Sequence, residues 1–379
     1  MKNIFYTILL LTVLLCSCSD KKQQNNSESV NVTNAMSSAD TTGFEKALLE
    51  KKFIFPDDNG AHPTFRTEWW YFTGNLISKE GKRFGYQFTI FRNSLSPFKN
   101  DSCSDWRSNQ IYMGHFTLTD IDNNKFYYFE RFSRDGNKLA GVEANPFKLW
   151  LEDWSVTESE KGNYEFPNAL IEANDKDINI KLTLELVKPV VLQGEKGLCM
   201  KNKETGSASY YYSATKIKTS GSITVSGKEF TADGFSWLDR EWSTSALSEK
   251  QKGWDWFSLQ FDNNVEIMYY RIRNKDGSIE PSSLGSVVLP NGLKENLKPD
   301  DMIIKQTDEW KNKENKIYPS GWTLTIPSRN IELTITPAVK NQELNVSVKY
   351  WEGSVLIDGT YGGNKIKGSG YVELTGYAD

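Results

Sequence analysis

Two stretches of this 379-residue chain set carboxylates beside indole rings: Glu68-Trp69-Trp70-Tyr71-Phe72 and Trp237-Leu238-Asp239-Arg240-Glu241-Trp242. If the second is extended, Phe235, Trp237, Asp239 and Glu241 share one face, and Ser236, Leu238, Arg240 and Trp242 share the other. A carboxyl group held against apolar rings loses the hydration of its ionised form, so its protonated form is favoured. Such an acid can donate a proton to an electron-rich substrate. Nearby rings, with Trp242 and Tyr270 as candidates, can then stabilise a carbocation by cation–π attraction. That combination suits the hydration of an isolated alkene. Asp239, Arg240, Glu241, Trp242 and Tyr270 are therefore the candidate catalytic residues. The segment also has a structural reading, in which Arg240 pairs with Asp239, Glu241 or Glu68 and staples a barrel end, with Trp242 packed over the guanidinium.

In the first stretch, Trp69 and Tyr71 point one way and Trp70 and Phe72 the other. Both faces are heavy and largely apolar, as expected of a strand with a core on one side and an aromatic-lined cavity or second sheet on the other. Trp69, Tyr71, Trp237, Trp242, Trp254 and Trp256 are candidates to line or flank that cavity. His62, Glu68 and His115 join them as ligand-binding candidates. His62 and His115 are the two histidines of the chain. His62, just before Pro63, otherwise orders an extended loop, and His115 is otherwise a hydrogen-bonded strand residue. No His-Glu-x-x-His, no His/Cys cluster at zinc spacing, no Gly-x-Ser-x-Gly elbow and no phosphate-cradling glycine loop occurs. No metal or cofactor is expected.

The elements that must position these residues are strands. Ile178, Ile180, Leu182, Leu184 and Leu186 alternate with polar residues, as do Trp322, Leu324 and Ile326, and then Ile331, Leu333 and Ile335. Asp135-Gly136, Asp276-Gly277, Asn291-Gly292 and Gly362-Gly363 are hairpin dipeptides. Helical periodicity is scarce beyond residue 52, so the chain is predicted to be all-β, a sandwich or barrel. A weak internal echo suggests duplication. Glu68–Phe72 leads to Phe84–Arg92, and Trp254–Leu259 leads to Val265–Arg273, each an aromatic strand, a turn and a strand ending in arginine. A boundary near Thr219 would divide the body into similar halves.

The N-terminus reads as an address. Lys2, the apolar run Ile4–Leu15 and the sequence Leu15-Cys16-Ser17-Cys18 form a lipoprotein signal pattern. Residues 1–17 are the expected signal peptide, and Cys18 is the expected lipidation site. Residues 18–45 are a polar tether too poor in apolar residues to fold. Thr42-Gly43-Phe44-Glu45 is a candidate capping box for a short helix through Lys52. The formal net charge is −4 without a basic stripe, which argues against nucleic acid as a partner. Cys103 and Cys199 match no Cys-x-x-Cys spacing.

The string His62-Pro63-x-x-Arg66-Thr67-Glu68-Trp69-Trp70-Tyr71-x-Thr73-Gly74-x-Leu76 resembles the signature of AttH-like proteins, relatives of carotenoid 1,2-hydratase in the two-domain lipocalin-like superfamily. Gly85–Arg92, Gly114–Asp120, Ala208–Ser213, Trp237–Ser243, Gly253–Phe257, Tyr350–Gly353 and Gly370–Tyr377 extend the resemblance to the end of the chain. It implies two consecutive lipocalin-like β-barrels, here residues 46–218 and 219–379, and a lipophilic ligand. Some members of the superfamily hydrate acyclic carotenoids, some fungal relatives guide cyclisations of polyenes, and AttH-like members are associated with an ABC transport system. In the hydratase branch a histidine stands where this chain has Arg240. A guanidinium stays protonated and cannot alternate between acid and base. The leading expectation is thus a lipoprotein of the bacterial cell envelope, anchored to the membrane through its N-terminal lipid. It would bind or hand over a hydrophobic lipid, polyene or isoprenoid, with ABC transporter components as partners, and without catalysis. The alternative is a hydro-lyase or cyclisation-guiding enzyme acting on a polyene.

Overall fold

A computed structural model describes residues 41–98, 108–160, 165–245 and 247–378. The expected signal peptide, Cys18 and nearly all of the tether lie outside the described residues. The body is all-β. Its first sheet contains β1 (Thr67–Ser78), β2 (Arg83–Ser94), β3 (Gln110–Asp120), β4 (Lys125–Arg134), β5 (Ala140–Ala144), β6 (Phe147–Leu151), β7 (Trp154–Glu160), β8 (Asn168–Asp175) and β9 (Ile178–Leu186). It is completed by β10 (Val191–Leu192), β11 (Leu198–Met200), β12 (Ala208–Val225) and β13 (Lys228–Ser243). The strand order is β4-β3-β2-β1-β13-β12-β9-β8-β7-β6-β5, with β10 and β11 added along β12. Arg131 on edge strand β4 ion-pairs with Asp153 and donates to the Asn174 carbonyl at 2.9 Å, drawing the sheet round towards its other edge. Trp70, Phe72, Phe88, Phe116, Trp154 and Leu238 are among the residues that fill the enclosed core.

The second sheet contains β14 (Gln251–Phe261), β15 (Glu266–Asn274), β16 (Leu284–Val288), β17 (Lys294–Leu297) and β18 (Ile303–Gln306). A small ribbon of β19 (Glu309–Lys311) and β20 (Ile317–Pro319) follows, and the sheet resumes with β21 (Trp322–Ile326), β22 (Ile331–Pro337), β23 (Glu343–Asn345), β24 (Lys349–Tyr361) and β25 (Asn364–Leu374). Phe257, Trp322, Trp351 and Val372 belong to its own core.

Three expectations need correcting. The 218/219 boundary falls inside β12, which pairs with β9 on one side and β13 on the other. β13 in turn pairs residue by residue with β1, so both long strands belong to the first sheet, and the chain crosses to the second between Ser243 and Gln251. The Trp237–Trp242 segment therefore belongs to the first barrel. Residues 44–54 form no helix. Their backbone is bound from outside, as in the Glu45 N–H donated to the Thr64 carbonyl (3.0 Å) and the Ile54 N–H donated to Asp58 Oδ2 (2.7 Å). Asp135-Gly136 makes a tight turn but no hairpin, because β4 and β5 are opposite edges of the sheet. The other three dipeptides do turn paired strands: β15 to β16, β16 to β17 and β24 to β25.

Candidate active site between the two sheets

Alternation along β1 and β13 gives each strand two different environments. Trp69 and Tyr71 leave the first barrel and face the second sheet, as do Trp237, Asp239 and Glu241. The second sheet presents Trp254 and Trp256 from β14, Tyr270 from β15, Tyr350 from β24 and Glu373 from β25. Register explains the convergence: Trp256 lies opposite Tyr270 on one side and Glu373 on the other. The result is a pocket of about 100 Å³ between the sheets, outside both barrel cores. Phe91, Leu247 and Ile272 complete much of its apolar wall, and Lys201 is its basic group. Ring contacts run across the seam, with Tyr71 edge-on to Trp256 at 5.1 Å and Trp237 edge-on to Trp256 at 6.3 Å.

The acids of this pocket are in an unusual state. Asp239 accepts hydrogen bonds from Tyr211 Oη (2.5 Å), Ser213 Oγ (2.5 Å) and Trp237 Nε1 (2.7 Å). Burial outweighs these three donors and, with the nearby charge of Glu241, pushes its pKa up to about 7. Glu373 is pushed up to about 8, again by burial first, against an indole hydrogen bond from Trp254 and with the Asp239 and Glu241 charges adding to the rise. Burial also raises Glu241, although the Lys201 ammonium pulls it back. Behind the wall, Glu352 accepts from Tyr71 Oη at 2.6 Å and is raised well above the carboxylate range by burial and by Glu373. Near neutral pH the site therefore holds protonated carboxyls among π faces. This is a proton donor next to groups that favour a cation.

Of the predicted site residues, Asp239, Glu241, Trp69, Tyr71, Trp254, Trp256 and Tyr270 come together here, with Trp237 packed against Asp239. Arg240, Trp242, His62 and Glu68 do not. They lie on the opposite face of β1 and β13, at one end of the first barrel. There the Glu68 carboxylate ion-pairs with both Arg92 and Arg240. Both Glu68 oxygens also accept the His62 backbone N–H (3.0 and 3.1 Å), and the His62 ring meets Asp58 at 3.0 Å. The His62 ring stacks flat on Trp242 at 3.8 Å, while the Arg240 guanidinium lies 3.9 Å from the Trp70 ring centre. Burial opposes charge on Glu68, but Arg92, Arg240 and His62 more than offset it and hold the carboxyl well below its usual range. This is the staple, not a reaction site: with a two-residue period, position 240 must face away from Asp239. The arginine there thus has no bearing on proton transfer in the pocket. His115 is buried behind the pocket wall, with Nδ1 2.7 Å from the Tyr350 hydroxyl. Cys18 lies outside the described residues.

Sequence reasoning missed Tyr211, Tyr350, Glu352, Glu373 and Lys201 as site residues. The Tyr-rich Ala208–Ser213 run carries Tyr211 and the Gly370–Tyr377 run carries Glu373, but nothing local reveals that Tyr211 comes to Asp239 from the neighbouring strand β12, or Glu373 from the facing sheet.

Two sheets, each wrapped around its own core and packed over an acid-bearing aromatic pocket, define a tandem β-barrel protein with an inter-barrel site. The chain belongs to the AttH-like family, whose model matches residues 46–377. A crystal structure of an AttH protein from Nitrosomonas europaea is 30% identical and superposes with a TM-score of 0.76, covering 88% of this chain and 100% of that one. The fold also matches kievitone hydratase from Nectria haematococca at a TM-score of 0.65 and 13% identity, over 88% of this chain and 98% of that one. By sequence, the chain is 23% identical to kievitone hydratase of Fusarium solani subsp. phaseoli over 53% of its length, a match that spans 58% of that enzyme. It is also 23% identical to the dehydratase asqC of Emericella nidulans, over 74% of this chain and 79% of that one.

Proposed function

We propose that this protein is a hydro-lyase that adds water to, or removes it from, an apolar substrate held in the inter-barrel pocket. One observation carries the reading: Asp239, pushed up to about pH 7, sits on the wall of a pocket built of Trp69, Trp254, Trp256 and Tyr270. In the hydration direction the Asp239 carboxyl gives its proton to an alkene carbon, the ring faces stabilise the cationic carbon, and water adds to it and releases a proton to leave the neutral alcohol. In the dehydration direction the same proton goes to the leaving hydroxyl. Relatives named as a hydratase and a dehydratase support this class of reaction over the non-catalytic carrier expected above. The physics of the pocket does too. Burying several carboxyls is costly, and a site that merely held an apolar molecule would gain nothing from them.

The test is oxygen exchange. Purified protein is incubated in 18O-water with linalool, 2-phenyl-2-propanol and a 3-hydroxy ketone, and label entering the alcohol is followed by mass spectrometry. Exchange above the uncatalysed rate, abolished in Asp239→Asn, is expected. No exchange with any of the three would overturn the reading. For location, we propose a lipid anchor on Cys18. Metabolic labelling with a palmitate analogue should mark the wild-type protein and not Cys18→Ser, and equal labelling of both would remove the proposal.

A further inference from the structure

We propose that Tyr350, His115 and Glu130 form a proton relay linking the pocket wall to bulk solvent, serving the hydro-lyase reaction on which this inference rests. Tyr350 lines the pocket from β24, and its hydroxyl lies 2.7 Å from Nδ1 of His115 on β3. The other ring nitrogen of His115 lies 3.2 Å from Glu130 Oε1. His115 and Glu130 stand directly opposite each other in the β3–β4 register. The His115 side chain is fully buried, whereas that of Glu130 is 16% exposed, so the chain starts in the site and ends at water. Glu130 also accepts from Ser347 Oγ (2.5 Å) and the Ser347 N–H (3.2 Å), which fix its carboxylate beside the imidazole. A carboxylate accepts only, so in the neutral ring the proton sits on Nε2, and bare Nδ1 accepts from Tyr350. Tyr350 Oη also accepts from Gln87 Nε2 at 3.3 Å, which leaves its own proton to point at His115.

The balance is simple. Each hydration consumes one proton at carbon and releases one from the attacking water. Outward, the Tyr350 oxygen takes a proton from the pocket as its own passes to His115 Nδ1, and the Nε2 proton moves to Glu130 and then to solvent. Inward, the same four transfers run in reverse and restore the ring, so one outward and one inward run leave the protein unchanged.

Two measurements test the relay separately from the hydro-lyase reading. In the 18O assay, with whichever alcohol of the panel exchanges fastest, Tyr350→Phe and Glu130→Gln should lower kcat about 100-fold at a KM within about twofold of wild type. His115→Ala should lose as much and recover with added imidazole. A KM effect without a kcat effect, or a His115→Ala loss that imidazole cannot restore in folded protein, overturns the relay. If no alcohol exchanges, the hydro-lyase reading falls and the second measurement decides the relay alone. It follows the His115 ring proton by 15N NMR, which is simple with two histidines in the chain. The relay requires its exchange with water to slow about tenfold in Glu130→Gln, because an amide cannot pass the proton on. A purely structural hydrogen bond predicts faster exchange once the carboxylate is gone, and that result overturns the proposal.

Discussion

At the residue scale, Asp239 and its three donors determine what the pocket can do. Its pKa of about 7 places it where a general acid and its conjugate base are both available near neutrality. Activity that needs the protonated form should be full below pH 7 and fall about tenfold per pH unit above it. Asp239→Asn should lower turnover by roughly 10²–10⁴-fold. Tyr211 donates to Asp239 and so favours its ionised form. Tyr211→Phe should therefore shift the falling limb of the pH–rate profile to higher pH, and a shift to lower pH would contradict the assignment. Stability carries a matching signature. Asp239 and Glu373 are both raised in the folded state, so the folded protein binds their protons more tightly than the unfolded chain. Stability should fall as pH rises from about 4 towards 8, with a shallower fall in Asp239→Asn, as read from urea midpoints at each pH.

At the element scale, the two aromatic strands and their internal echo acquire a physical meaning. In the first barrel, Glu68 on β1 lies opposite Arg92 on β2 and is clamped between Arg92 and Arg240. In the second, Asp255 on β14 lies opposite Arg271 on β15 and is clamped between Arg271 (2.8 Å) and Arg273 (2.9 Å). Each barrel thus places a buried carboxylate between two guanidiniums, with an aromatic ring against one of them, Trp70 under Arg240 and Tyr377 under Arg273. Removing one member strands the other buried charges, so Glu68→Gln and Arg240→Ala should each cost about 3–5 kcal/mol by urea unfolding. Because the Glu68 pKa is depressed, its contribution is present above the unfolded carboxyl value and is lost as pH falls below it. These strands also mark how far the sequence could be read. Alternation separated Trp237, Asp239 and Glu241 from Arg240 and Trp242 correctly, and Trp69 and Tyr71 from Trp70 and Phe72. It could not say which face would meet a second sheet, so Arg240 and Trp242 stood open between the site and a staple that could include Glu68, and His62 and Glu68 stood as ligand-binding candidates. Tyr211, Glu352 and Glu373 were out of reach for a related reason. Their strands are ordinary alternating strands: Tyr211 reaches Asp239 through the pairing of β12 with β13, whereas Glu352 and Glu373 reach the pocket only because one sheet packs on the other.

At the scale of the whole molecule, the site exists only while the two barrels stay together, and their interface is built like a core. Polar groups are paired across it: Lys188 with Glu266 (2.7 Å), Gln260 with the Thr215 and Ser236 carbonyls (2.7 and 3.0 Å), and Thr119 with Gln342 (2.8 Å). Between them lies the aromatic cluster of Tyr71, Trp237, Trp256 and Tyr371. Separating the sheets would expose those rings and leave raised-pKa carboxyls to ionise. The barrels are therefore expected to unfold together, with near-UV and far-UV circular dichroism giving one coincident denaturant transition. Gly85 offers a direct test, because a side chain there would enter the seam. Its Cβ would stand 2.7 Å from both Ser354 Cβ and Tyr371 Oη, which belong to the facing sheet. Gly85→Val should cost about 1–3 kcal/mol through overpacking while both barrel cores stay intact. If the seam were a loose hinge, the sheets would part around the new methyls. Stability would then hold, and the unfolding of the variant would split into two transitions.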